Sequence, residues 1–411
     1  MTTKGERLTS AAIAPDSTEQ VQAVMRIANQ YRIPIYPIST GKNLGYGGSA
    51  PAYSGSVVLD LKRMNRILNV DERNHTVLVE PGVTFWEIAQ YFEDNNLDLT
   101  LDIPDPAWGS LVGHALDRGV GHTYSDYGRD RFGSACGMEV VLANGDIIRT
   151  ATGALETSTM WQDHEYGIGP SVDGIFSQSN YGVVTKMGVW LMDEPPAYRA
   201  GRITVPRHED IVELIDTLKP LWRQRVLTNY PNMRRVDFSG PSGWYNRLAF
   251  YGDRRVVDRH WELVQDAYAG IPGAELETTL YEAPYNPDEW DLNTKLLAGV
   301  PYMEAMYGIG HNVYFLLVVP FRGASIWQVI QTFDEIAQKY GRRFFGTPVH
   351  VHSPRGLLTT VSIRVDKDDP ETNRTDARDG ARDGHRRGSA WMGRIPRRTG
   401  IHRCRHSGLQ L

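Results

Sequence analysis

The chain has 411 residues, enough to bury a large core and divide into two or three domains, and its 41% hydrophobic and 23% charged shares are those of a soluble globular protein. A formal net charge of -5 argues against a nucleic-acid partner, and two cysteines, Cys136 and Cys404, exclude a disulfide framework and a Cys-rich zinc site. No apolar run reaches membrane-spanning length, and the opening MTTKGERLTS lacks the apolar stretch of a secretory signal, which points to the cytoplasm, with the periplasm as the alternative.

A short irregular arm leads to a first helix at Ser17, which with Gln20 makes a capping-box pattern. Val21, Val24 and Ala28 follow at helical spacing. An apolar run Ile33–Ile38 comes next, and strands are expected over Ser56–Leu61 and Thr76–Glu80, the latter closed by Pro81-Gly82. Thr84 and Glu87 cap a helix running to about Asn95. Met138–Leu142, then Asn144-Gly145, then Ile147–Thr150 reads as a hairpin with a type I′ turn. Val183–Met192 alternates as a strand.

Glu194-Pro195-Pro196 is the first boundary, and it ends a first domain of residues 1–195. A second domain, 196–370, restarts the pattern. Its strands are Arg202–Val205, Leu248–Tyr251 and Glu275–Tyr281, with helices Glu209–Leu218 and Val256–Tyr268. Strand Val313–Val319, helix Ser325–Tyr340 and strand Leu357–Val365 follow. The order fits a ferredoxin-like unit in an α+β fold. Residues 371–411 read as a disordered tail: from Arg374 onward there are ten Arg, no Lys and almost no apolar periodicity.

The strongest local signal is Ser39-Thr40-Gly41-Lys42-Asn43-Leu44-Gly45-Tyr46-Gly47-Gly48. Its glycines let the backbone turn N–H groups inward as a nest for phosphate oxygens, and Ser39, Thr40 and Asn43 add donors. The spacing matches neither GxxxxGK[ST] nor GxGxxG. Alone, it fits a glycine-rich surface loop as well as a phosphate cradle. His350-Val-His352 could place two imidazoles on one strand face, but two histidines without a third ligand read better as a structural strand. Trp86, Trp108 and Trp161 read as core residues.

Together with Val79-Glu80-Pro81-Gly82, Asp102-Ile-Pro104-Asp105-Pro-Ala-Trp108-Gly109-Ser110, Asp117-Arg118-Gly119-Val-Gly121 and Asn180-Tyr181-Gly182-Val183-Val184, the loop resembles the vanillyl-alcohol oxidase / p-cresol methylhydroxylase flavoproteins. The likeness is densest from Pro15 to Pro196 and returns at Gly299-Val-Pro301 and Gly310-His311. It implies an FAD-binding domain at 1–195 and a ferredoxin-like substrate domain at 196–370. It implies FAD held by residues 39–45 and Gly47, Gly48, Pro81, Gly82, Gly109, Ser110, Gly113, Gly119, Gly182, Val183 and Val184. It implies attachment of that FAD through His311, with Tyr307 as rival and free FAD as alternative. The implied reaction is oxidation of para-substituted phenols at the benzylic carbon by hydride transfer to flavin. Ionising the phenol helps expel the hydride, so the site needs donors at the phenolate and a group for the water proton. The likeness assigns Tyr46 to the phenolate and Asp105 to the base or flavin-N5 role. His122 stands where the family has a second Tyr. Asp105 also fits a turn-initiating Asp, and His122 an ordinary loop histidine.

A c-type cytochrome is the implied electron acceptor, with an oxygen-using oxidase as the alternative, and a homodimer the implied assembly. No metal site is expected. The family's C-terminal part carries a Gly-Trp-Gly-Glu-Tyr-Arg-like motif whose Tyr and Arg complete the phenolate site, whereas here the likeness stops near Pro370-Glu371. Trp391-Met392-Gly393 must be encoded TGG ATG GGN, which read one nucleotide forward begins Gly-Trp and with permitted codons continues Gly-Glu-Tyr-Arg. The tail therefore reads as a frame-shifted or truncated family terminus. A catalytically dead FAD-binding remnant is the reading of another class. A flavin oxidase acting on sugars or hydroxy acids is disfavoured by Tyr46 and by the Asp105–Ser110 motif.

Overall fold

The computed structural model describes residues 8–42, 49–123, 131–167, 169–236, 243–303, 312–339, 348–353 and 355–364. Residues 43–48, with Tyr46, Tyr307 and His311, and the Arg-rich tail lie outside them.

The first half builds three small sheets. β1 (Ala11–Ile13), β3 (Val57–Asp60) and β2 (Ile35–Ile38) pair in parallel in that order. β4 (Ile67–Asp71), β5 (Thr76–Val79), β9 (Gly182–Trp190), β7 (Ala135–Leu142) and β8 (Ile147–Arg149) form an antiparallel five-stranded sheet in that order. β6 (Leu99–Thr100) pairs with β10 (Met192–Asp193). Helix α1 (Thr18–Tyr31) joins the first two sheets: its Val21 is buried with Leu59, Leu61, Met64, Val141 and Val183.

Two local expectations change in detail. The Ser17 side chain does accept from Gln20 N–H, but the Gln20 side chain accepts from Asp16 N–H rather than closing the box on Ser17. The hairpin turn is one residue longer than a type I′ turn. Gly145 N–H donates to Leu142 O and Leu142 N–H to Asp146 O, and Gly145 takes φ +84° while Asn144 does not join it at positive φ. This is the three-residue loop in which glycine supplies the left-handed position, and Asn-Gly chemistry suits both turns.

The second half is one antiparallel seven-stranded sheet with order β14-β11-β13-β12-β16-β17-β15. Its strands are β11 (Ala197–Val205), β12 (Asn232–Val236), β13 (Gly243–Gly252), β14 (Glu275–Glu282), β15 (Asn312–Pro320), β16 (Val349–Val351) and β17 (Gly356–Arg364). With α4 (Ile211–Arg223) and α5 (Arg254–Tyr268), the first four strands follow βαββαβ order and lie 4-1-3-2 across the sheet, the ferredoxin-like arrangement. The sheet is wider than that unit because β12 pairs with β16. That contact adds a second β-α-β-β run, built from β15, α7 (Gly323–Lys339), β16 and β17.

Strand alternation gives this sheet two chemically different faces. Ile203, Val205, Met233, Trp244, Leu248, Phe250, Val349 and Leu357 are buried under α4, α5 and α7. The register sets the alternate residues side by side on the other face: Arg202 opposite Arg247, Arg247 opposite Asn232, Tyr245 opposite Arg234, and Asn232 opposite His350. One end of that face is aromatic. Tyr198 stacks on Tyr251 and Tyr281, and Trp290 packs on Tyr281 under the segment of α6 (Leu292–Ala298).

Candidate active site

The Pro104–Ser110 segment is fixed from both sides. On one side stands α2 (Phe85–Asp94), whose first N–H groups have no partner inside the helix. Phe85 N–H donates to Gly109 O and Trp86 N–H to Ala107 O, while Thr84 and Glu87 close a full capping box. On the other side, Ala107 N–H donates to the carbonyl of Tyr302. Tyr302 follows α6, whose last turn ends at Gly299 with φ +76°. A Cβ at Gly299 would press on Leu101 O at 3.0 Å, so glycine permits both the helix stop and the close approach to the first domain.

Asp105 therefore lies against Tyr302. Burial, then the charge of the nearby Asp105 carboxylate, raise the Tyr302 phenol well above its ordinary range. Arg234, from β12, lies within electrostatic reach of both. His122 comes from the loop after Gly119 and is set by Asp102. The buried Asp102 carboxylate accepts from His122 N–H at 2.7 Å, Thr123 N–H at 2.9 Å and the Thr123 hydroxyl at 2.9 Å. The His122 ring stands 6.1 Å from that of His350 on β16.

Electrostatics fix the protonation of this cluster. Burial, then the guanidiniums of Arg234 and Arg247, lower the His122 pKa to about 3. Burial, then His122 and Arg234, do the same to His350. Both imidazoles are neutral at pH 7, so His122 can donate a hydrogen bond but does not serve as a cation. Burial, then Arg247, lowers Arg234 to about 10, against the pull of Tyr245, Asp105 and Tyr302. Burial also lowers Arg247, which donates to the Tyr245 hydroxyl at 3.1 Å and lies over that ring.

The described part of the glycine loop reaches the same segment. A Cβ at Gly113, in α3 (Leu111–Leu116), would strike the Ser39 hydroxyl, and the Lys42 ammonium sits 5.1 Å above the Trp108 ring. The Ser110 hydroxyl caps α3 and donates to Pro81 O, while Gly82 lies so close to the Lys62 and Met64 carbonyls that a Cβ would meet them at 2.7 and 2.8 Å. Ser39, Thr40, Gly41, Lys42, Pro81, Gly82, Gly109, Ser110 and Gly113 thus sit on connected segments. Gly119 packs on His114, and Gly182 on Val140. Val183 and Val184 point into the hydrophobic core, which leaves only their backbone for any ligand.

Sequence reasoning missed Tyr302, Arg234, Arg247 and Asn232, and read His350 as structural. The visible signal was the polar alternation in Asn232-Met-Arg-Arg and Tyr245-Asn-Arg, which marks a sheet face that is not a core. Among the described residues no cluster of three His, Cys, Asp or Glu could hold a metal ion. No helix among them is long and apolar enough to cross a membrane.

Residues 9–151 match the model of the FAD binding domain family. The 4-cresol dehydrogenase [hydroxylating] flavoprotein subunit of Pseudomonas putida is 35% identical over 405 residues, covering 90% of this chain and 76% of that protein. The chain belongs to the 4-cresol dehydrogenase / p-cresol methylhydroxylase family. The crystal structure of p-cresol methylhydroxylase with substrate bound superposes with a TM-score of 0.85 at 31% identity, covering 94% of this chain and 82% of that one. A 4-ethylphenol oxidase from Gulosibacter chungangensis gives 0.81 at 29% identity, with the same coverages. The protein is an FAD-dependent oxidoreductase of a phenol-oxidising family.

The residues fit that cofactor. Nothing lies within 4 Å of a Cβ built on Gly109, so open space borders the Asp105–Ser110 segment. The Ser39 and Thr40 hydroxyls and the Lys42 ammonium supply the donors and positive charge a pyrophosphate needs.

Proposed function

We propose that this flavoprotein oxidises para-substituted phenols at the benzylic carbon, in the manner of a 4-cresol dehydrogenase, and passes the electrons to a c-type cytochrome. The observation that carries the reading is the meeting of Asp105 and Tyr302, with Arg234 within electrostatic reach of both and of His122. Bound FAD supplies the two-electron acceptor. The chain's own residues hold the substrate as its phenolate. Tyr46 and the neutral His122 donate to the phenolate oxygen, and Asp105 accepts the proton of the water that adds to the oxidised carbon. Tyr302, kept protonated by burial and by the charge of Asp105, stands beside that carboxylate. Residues 39–48 cradle the pyrophosphate, and His311 is the attachment point. A homodimer in the cytoplasm is the proposed assembly and place.

Anaerobic mixing with 4-methylphenol tests the reading. Bleaching of the flavin absorbance is expected, and Asp105→Asn should keep its flavin but slow the bleaching by about 10²–10⁴-fold. A wild-type protein that binds FAD and is not reduced would be the non-catalytic remnant. Reoxidation by air faster than by cytochrome c would make it an oxidase.

A further inference from the structure

Helix α6 stands between the seven-stranded sheet and the Asp105 segment, and it is too short to set its own place. It has seven residues, whereas isolated helices shorter than about 12–15 residues are marginal in water. Partners outside the helix therefore decide where it lies. Asp291 caps its first turn by accepting from Thr294 N–H at 2.7 Å. At the other end Gly299 N–H donates back to Leu296 O and Val300 N–H to Lys295 O, and the Leu297 carbonyl is left without a partner inside the turn.

Two tyrosines of the sheet meet that helix. The Tyr251 hydroxyl, from β13, donates to Leu297 O, and the Tyr198 hydroxyl, from β11, donates to Thr294 O at 3.3 Å. The two residues are opposite in register and their rings stack 5.6 Å apart, with Tyr198 between Tyr251 and Tyr281. Tyr198 is 1% exposed and Tyr251 6%. Phenylalanine would fill the same space, so what the hydroxyls add is direction. A buried O–H must find an acceptor, and here both acceptors belong to α6.

The end of α6 reaches the chemistry. A Cβ at Gly299 would lie 3.0 Å from Leu101 O, 3.1 Å from Thr100 Oγ1 and 3.5 Å from Thr123 Cγ2. Three residues on, Tyr302 O accepts from Ala107 N–H at 3.1 Å, and Tyr302 stands beside Asp105.

We propose that Tyr251 and Tyr198 are positioning residues: their hydroxyls fix α6, and through Tyr302 and Ala107 they fix the Asp105 segment. The inference rests on the phenol-oxidase reading for the reaction it serves. It adds to that reading two side chains that act from the far end of α6, through the backbone between them and Asp105.

Tyr251→Phe keeps the ring stack and deletes one donor, and two readouts on the FAD-loaded full chain test it. Hydrogen–deuterium exchange should quicken over residues 292–303 and also over 102–110, which belong to the first domain. Anaerobic flavin reduction at saturating 4-methylphenol should slow about tenfold, within the roughly 10²-fold that a misplacement of about 1 Å can cost, with FAD content unchanged. Tyr198→Phe, which deletes the longer bond, should act in the same direction and by less. Asp105→Asn supplies the control for route: adding Tyr251→Phe to it should slow reduction little further, because the residue being positioned is already disabled. Faster exchange confined to 292–303, an unchanged reduction rate, or losses that multiply in the double variant would each overturn the proposal and leave the tyrosines as packing. A wild-type flavin that 4-methylphenol does not reduce would instead reject the oxidation, and exchange over 102–110 would still decide the positioning.

Discussion

The two faces of the seven-stranded sheet are made by the same strands, one residue apart, and do opposite work. On the helix-covered face, Trp244, Leu248 and Phe250 of β13 and Ile203 and Val205 of β11 are sealed under α4, α5 and α7. On the other, the intervening Tyr245 and Arg247, and Arg202 and Thr204, meet the first domain or solvent. The first face gains by excluding water from apolar area, which is non-directional and tolerant of detail. The second gathers guanidiniums, imidazoles and a buried amide, each of which costs free energy unless a partner sits in a defined place. The lesson is that the stable face carries the polar one: strands anchored from behind can hold like charges together in front.

The largest test of that division is Trp244→Ala. Trp244 is 0% exposed and its indole N–H donates to His208 O. The loss should be about 3–5 kcal/mol, as for large aromatic truncations in a core. Tyr245→Ala, the next residue, should cost less than half as much in a denaturant titration. Equal losses would mean that the polar face also holds the sheet together, and the division would fail.

The same division explains what could be read from sequence. Elements with an apolar face were found near their places: α5, α7, β15 and β17 each lie within a few residues of their expected spans. β13 was expected only over Leu248–Tyr251 because Tyr245-Asn-Arg interrupts the apolar run, yet it begins at Gly243. β12 was not delimited at all, since it is short and half polar, while β16 was read only as a structural strand at His350-Val-His352, one residue from its place. The motif residues around Asp105 were legible because a chemical pattern, not a hydrophobic one, carries them. Tyr302, Arg234, Arg247 and His350 were not, because they come from three distant segments that only the sheet register and the Ala107–Tyr302 bond bring to Asp105.

Acid is the second test, and it acts on the polar face. His122 and His350 have folded pKa values near 3, below the unfolded value of about 6.5. The folded state therefore refuses protons that the unfolded chain accepts. Stability is complete above about pH 6.5 and falls as pH drops toward 3, by up to about 1.4 kcal/mol per pH unit for each histidine. The groups facing the pair, Arg234, Arg247 and His352, add repulsion of the same sign. His350→Gln should flatten the decline of melting temperature between pH 6 and 4, with His260, whose pKa is lowered by burial on α5, left as common background. Parallel pH profiles for wild type and variant would show that the pair is not held neutral by the fold.

The smallest expected effect separates neighbours on one strand. Arg202 and Ile203 are adjacent on β11; the first is exposed, the second fully buried. Ile203→Ala should cost about 2–5 kcal/mol through lost contacts and the cavity left behind. Arg202→Met removes a guanidinium lying 4.9 Å over the Tyr245 ring, a contact worth roughly 0.5–1 kcal/mol at an exposed site. It also removes a charge that disfavours the Arg247 guanidinium. The two changes oppose each other, and methionine keeps much of the apolar stem packed on the ring. The net shift in unfolding free energy should stay within about 0.5 kcal/mol. A loss near that of Ile203→Ala would mean that the cation over Tyr245 is structural, and that the positive charge on this face was placed for the fold rather than for a ligand.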